Sequence, residues 1–286
     1  MESSMTIDYE HILVSNFDRV VTITINRPER MNAVTWRTMA ELRHAIGAAD
    51  SDESVRAIIV TGAGKAFCAG ADMGGGGFDR HQTEAEERER VTSELVPPGS
   101  KAFWEMNTPI IAAINGTAVG VGITMPLHFD FRIVAEDAKL GFLFTRRGII
   151  PEWNSPWLLS RLAGLTRSMD LLVTGRFFNG REAAEWGIAT EAVPAETVLQ
   201  RAHKVAEEIA QNTSAVSVGI AKRLLYEGLT TMEAEAMRQR TSEIFRWSTL
   251  QPDGREGPNA FREKRSPRFT MAKNADFPEE FFSSTS

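Results

Sequence analysis

One carboxylate in this chain has unusual neighbours. Glu152 stands in RRGIIPEWNSPW, residues 146–157, directly after a proline and before a tryptophan. Ile149 and Ile150 precede it and Trp157 follows. If Ile149, Ile150, Trp153 and Trp157 surround its carboxyl group, they desolvate it. Desolvation penalises the charged form and raises the pKa, giving a stronger base that is still mostly ionised at neutral pH. A plainer role is open too, in which Glu152 caps a helix beginning near Ser155, because acidic residues collect at helix starts. On these residues alone the two roles stand level.

Two other segments could supply hydrogen-bond donors. GKAFCAGADM (64–73) and AAINGTAVGVGITM (112–125) each run from a strand into a turn of small residues and on towards a helix. Small residues let backbone N–H groups approach a ligand closely. At a helix start those groups are unpaired and carry the positive end of the dipole. Two such turns converging would hold a developing oxyanion, although each alone also fits ordinary strand-to-helix packing. Other chemistries find no support. TGAGK (61–65) has Ile59 where a phosphate loop needs glycine and Ala66 where it needs Ser or Thr. GVG (120–122) has Met125 at the third glycine position of a dinucleotide loop. There is no G-x-S-x-G elbow, and the five histidines have no metal-ligand spacing, so no metal site is expected.

The elements that must position these residues follow from pattern. VVTITI (20–25) alternates as a strand; AIIVT (57–61), IIAAI (110–114) and FRIVA (131–135) are short buried strands. Residues 35–49 place Met39, Leu42, Ala45, Ile46 and Ala49 on one helix face. Strands alternating with helices predict an α/β fold. From Glu196 onward only helical patterns appear, ending near Pro267. The expected division is an α/β core over residues 1–200 and a helical region over 201–286. A glycine run and dense charge at about 74–100 mark an insertion, either a surface loop carrying a solvated helix or a lid over a site.

The bulk properties bound the rest. With 286 residues the chain can bury a sizeable core. Its net charge of −6 argues against a nucleic acid or anionic membrane as partner. No apolar run reaches the roughly 18 residues of a membrane span. The single cysteine, Cys68, and an acidic N-terminus without a signal-type apolar core make the cytoplasm the expected location.

NRPERMNAV (26–34), GKAFCAGADM and AAINGTAVGVGITM, in this order, together with GREAAEWGIATEAVP and REGPNAFREKRSPRF, resemble the crotonase (enoyl-CoA hydratase/isomerase) family. The resemblance runs from about Tyr9 to about Thr270. It implies a spiral of ββα turns with C-terminal helices that build a homotrimer or a dimer of trimers. It implies an acyl-CoA substrate, with coenzyme A entering as part of the substrate and no permanently bound cofactor. On this sequence the family's oxyanion-hole amides fall on Ala71 and Val121. The CoA-binding segment falls on Arg30, Met31 and Ala33, with Ala69, Asp72 and Met73 along the pantetheine. Lys264 would reach CoA from a neighbouring subunit.

The chain departs from the hydratases of that family. Their two catalytic glutamates fall on Thr124 and Phe144 here. Phenylalanine cannot transfer a proton, and threonine is a poor base at neutral pH. A subset of the family, the 3-enoyl-CoA isomerases among them, resembles this chain in carrying an acid directly after the segment matching GIIP. That acid is Glu152. The resemblance therefore implies isomerisation of 3-enoyl-CoA to 2-enoyl-CoA, with hydration by a single acid–base, or a catalytically inert acyl-CoA binder, as the alternatives.

Overall fold

Runs of Val, Ile and Ala form the centre of the molecule, and a computed structural model describes residues 8–72, 81–229 and 233–282 of the chain. The large sheet holds, in spatial order, β1 (Ile12–Phe17), β2 (Val20–Ile25), β3 (Ala57–Gly62), β5 (Ile110–Ile114), β7 (Phe131–Ala135) and β10 (Glu191–Val193). All its pairings are parallel except β1 with β2. A smaller sheet holds β4 (Ala66–Cys68), β6 (Thr117–Val119), β8 (Leu140–Gly141) and β9 (Phe177–Phe178). The chain alternates between the sheets, β3 to β4, β5 to β6 and β7 to β8, so each turn of the spiral adds one strand to each. This is the expected ββα spiral. The central strands are covered on both faces, which is why they read as continuous apolar runs and not as alternating ones.

Helices fill the turns: α1 (Trp36–Ser51), α2 (His81–Leu95), α3 (Val121–Thr124), α4 (Ser155–Thr174), α5 (Gly180–Glu185) and α6 (Val198–Asn212). Thr35 caps α1 by accepting from the Thr38 N–H in a capping box. Helix α6 buries Val198, Ala202 and Ala206 in the main core against the large sheet. Helix α6 thus spans the expected division at 200–201 with its apolar face in the main core. A second cluster then begins with Val216 and Ile220 of α7 (Ala215–Gly228), Ile244 of α8 (Ala234–Leu250), and Phe277 and Phe282 of the tail. Helix α9 (Pro252–Glu263) follows α8, and beyond it the described chain is irregular except for a 3-10 turn at Glu279–Phe281.

This second region folds back on its own body. Lys222 of α7 pairs with Asp130 at 2.8 Å, both nearly buried, and Lys273 in the tail donates to Asp52 O at the end of α1. Of the charged insertion, residues 74–80 lie outside the described residues, and helix α2 is docked on α1. Val91 and Leu95 of α2 pack on Ala40 of α1, and the Arg88 guanidinium lies 5.0 Å from the Trp36 ring.

Candidate active site

The two small-residue turns leave neighbouring strands at the same level. Strands β4 and β6 are parallel, with Cys68 opposite Ala118. Ala71 and Val121 each lie three residues further on, in the turns that leave these two neighbouring strands. Glycine is required at both turns. Gly70 has φ +104° and a Cβ there would stand 3.0 Å from Val119 O; Gly120 has φ +57°. Val34 N–H bonds to Gly70 O and Asp72 N–H to Val34 O, which leaves the Ala71 N–H between them unused. Val121 opens α3, where first-turn amides have no helical acceptor. Each turn thus offers a backbone N–H with no acceptor among the described residues.

The segment predicted to hold CoA is bound to the same turn. Ala69 N–H donates to Met31 O at 3.1 Å, and Arg27 donates both to Ala33 O and to Asp72, the latter at 2.8 Å. Arg30 ends a 3-10 turn and is exposed, and Met31 is left-handed and half exposed. Met73 lies outside the described residues. Lys264 caps α9 with left-handed backbone, exposed, and makes no side-chain hydrogen bond or ion pair among the described residues. One organising residue was missed in the sequence. Asn32 is fully buried; its amide donates to Ala63 O and Ala66 O, while its oxygen accepts from Arg27 N–H. Asn32→Ala would strand all three backbone groups, and is expected to cost about 2–4 kcal/mol in denaturant unfolding.

Thr124 and Phe144 are both buried, in α3 and at the edge of a 3-10 turn. The Thr124 hydroxyl has no partner among the described residues. Phe142 and Phe144 belong to the core, with Phe142 stacked on Phe178. Burial pushes the Cys68 thiol up to about 11, so it is not a nucleophile at neutral pH.

Glu152 differs in part from expectation. Ile149, Trp153 and Trp157 are half-buried against the core, but Ile150 points outward, 84% exposed. Two consecutive residues that follow, Trp153 and Asn154, have left-handed backbone. Glu152 is itself exposed as a residue, yet the protein packed about its carboxyl still desolvates it and raises its pKa above the ordinary glutamate value. Its carboxylate has no hydrogen-bond or ion-pair partner among the described residues. The helix-cap role does not hold: it is the Glu152 carbonyl, not the carboxylate, that accepts from Ser155 N–H at 3.0 Å and Ser155 Oγ at 2.6 Å.

A family model described as enoyl-CoA hydratase/isomerase matches residues 16–272. The chain belongs to the enoyl-CoA hydratase/isomerase family. Within that family it is 37% identical over 253 residues to the enoyl-CoA hydratase ACTT3 of Alternaria alternata, a match covering 88% of this chain and 83% of that protein. It is 32% identical over 252 residues to the 1,2-epoxyphenylacetyl-CoA isomerase of Escherichia coli (strain K12), covering 88% and 95%. The crystal structure of a probable enoyl-CoA hydratase/isomerase from Mycobacterium abscessus superposes with a TM-score of 0.79 at 33% identity, covering 91% of this chain and 98% of that one.

Proposed function

We propose that this family member shifts the double bond of a 3-enoyl-CoA to the 2-position, with Glu152 carrying the proton. The observation that carries this reading is Glu152 itself, a desolvated carboxylate with no partner among the described residues, while Thr124 and Phe144 supply no second acid. Glu152 takes a proton from C2, and the electron pair spreads over C2, C3, C4 and the thioester oxygen. The Ala71 and Val121 amides hold the charge on that oxygen. The carboxylic acid then returns the proton to C4, leaving the double bond between C2 and C3. One group serves both steps because only C3 separates the two carbons.

Coenzyme A enters with the substrate, over Arg30, Met31 and Ala33 and along Ala69, Asp72 and Met73. Lys264 of a neighbouring subunit completes the contact in a homotrimer or dimer of trimers. Support for assembly comes from the exposed stripe Leu165, Met169 and Val173 at four-residue spacing on α4.

The test is the pH dependence of kcat/KM on 3-enoyl-CoA. The reaction needs the carboxylate, so the rate falls as pH drops through the Glu152 pKa. Desolvation places that acid limb above the ordinary glutamate range. An acid limb at or below that range would contradict the role. The naming of similar proteins as hydratases favours a second reading, hydration of 2-enoyl-CoA with Glu152 as the single acid–base.

A further inference from the structure

We propose that His128 is the positioning residue for Glu152, tying the helix that carries an oxyanion-hole amide to the segment that carries the acid. This rests on the reading of Glu152 as the base.

Helix α3 runs directly into a 3-10 turn, Met125–His128, because Pro126 has no N–H with which to continue an α-helix. Residues 121–128 are thus one short element, with the Val121 amide at one end and the His128 ring at the other. Its far end is clamped by Arg132, fully enclosed, which donates to Pro126 O at 3.1 Å and Phe129 O at 2.6 Å.

The His128 ring is buried and its Nε2 lies 2.7 Å from Trp153 O. A carbonyl oxygen only accepts, so Nε2 carries the proton and donates. The ring packs against Trp104 at 5.5 Å and edge-on against Trp153 at 5.6 Å. Glu105, Arg161, Arg223, Tyr226 and Glu227 line the same cavity. The ring's Nε2 is engaged by the backbone carbonyl of residue 153.

That carbonyl belongs to the residue after Glu152. Trp153 has φ +53° and Asn154 φ +51°. Asparagine tolerates the left-handed region, whereas tryptophan pays about 1–2 kcal/mol for it. The conformation persists because its surroundings determine it: His128 holds the Trp153 carbonyl, and Phe103 stacks on the Trp153 ring at 6.3 Å. On the other side, Ser155 holds the Glu152 carbonyl. The backbone bearing the acid is therefore pinned at two successive carbonyls, and one of the pins is built on the oxyanion-hole helix. A carboxylate that serves C2 and C4 of a substrate fixed by its thioester oxygen needs this shared reference, since a displacement near 1 Å costs about 100-fold.

The experiment measures 3-enoyl-CoA turnover for His128→Gln and His128→Phe, each alone and with Glu152→Gln. Glutamine can place an amide nitrogen where Nε2 stands; phenylalanine cannot donate. His128→Phe is expected to lower kcat about 10- to 100-fold with KM within about twofold, and His128→Gln to stay within about threefold of wild type. In His128→Phe the acid limb of kcat/KM moves to lower pH, because a loosened Glu152 gains water. With Glu152→Gln present, His128→Phe causes no further fall. If His128→Phe does not fold, His128→Asn, whose amide falls short of Trp153 O, takes its place. Unchanged kcat in His128→Phe, an equal fall in both backgrounds, or equal damage by His128→Gln would overturn the positioning role while leaving Glu152 as base. Full activity in Glu152→Gln alone would overturn both.

Discussion

Glu152→Gln is expected to lower turnover of 3-enoyl-CoA by at least about 100-fold, with little change in KM, because a general base contributes about 10²–10⁴-fold. Glutamine keeps the size and shape of the side chain and loses only basicity. The loss must come without loss of fold, and the sign of the pKa shift says why. Desolvation raises the folded-state pKa of Glu152. The associated stability is present in full below the unfolded-state pKa and is gone once pH rises through the raised one. Above that raised pKa the native protein carries an ionised, partly desolvated carboxylate with no partner among the described residues. Glutamine removes that penalty, so the variant should melt no lower than wild type at pH 7. Thermal melts run beside the turnover assay check this. A large activity loss accompanied by a lower melting temperature would mean that Glu152 holds structure and does not carry the proton.

Gly122→Ala is expected to have the second large effect, and by a different route. A Cβ on Gly122 would overlap Cys68 O of β4, closer than real Cβ contacts come. The obstructing atom is backbone, so no side chain can turn aside. Relief requires the start of α3 to move away from β4, and this carries the Val121 amide away from Ala71. Displacing one oxyanion donor costs about 10²–10³-fold in kcat, and forcing a methyl into packed structure costs about 1–3 kcal/mol. Both are measurable, by turnover and by denaturant unfolding. Wild-type kcat in Gly122→Ala would show that Val121 does not serve the developing charge.

Strand β2 was legible from its alternation, and β3, β5 and β7 because buried parallel strands are near-continuous Val, Ile and Ala. The two-residue and three-residue strands of the small sheet were not legible, being too short for any period. Nor was β1, whose side chains after Ile12 are exposed. The amide pair could be expected from its small-residue turns, but the equal three-residue offset from Cys68 and Ala118 is a fact of register that only the sheet supplies. The surroundings of Glu152 were half legible. Its apolar neighbours are adjacent in sequence, but Ile150 is exposed and only the other three pack on the core. Asn32, Arg132 and His128 carried no signal, since a lone polar residue gains meaning only from the carbonyls that close round it.

The most direct measurement of the central claim mixes the wild-type protein with 3-enoyl-CoA and, separately, with 2-enoyl-CoA, and follows the products by chromatography. The predicted result is 2-enoyl-CoA formed from the first substrate faster than any 3-hydroxyacyl-CoA is formed from the second. Faster formation of 3-hydroxyacyl-CoA, or no turnover of either substrate while acyl-CoA still binds, would contradict it.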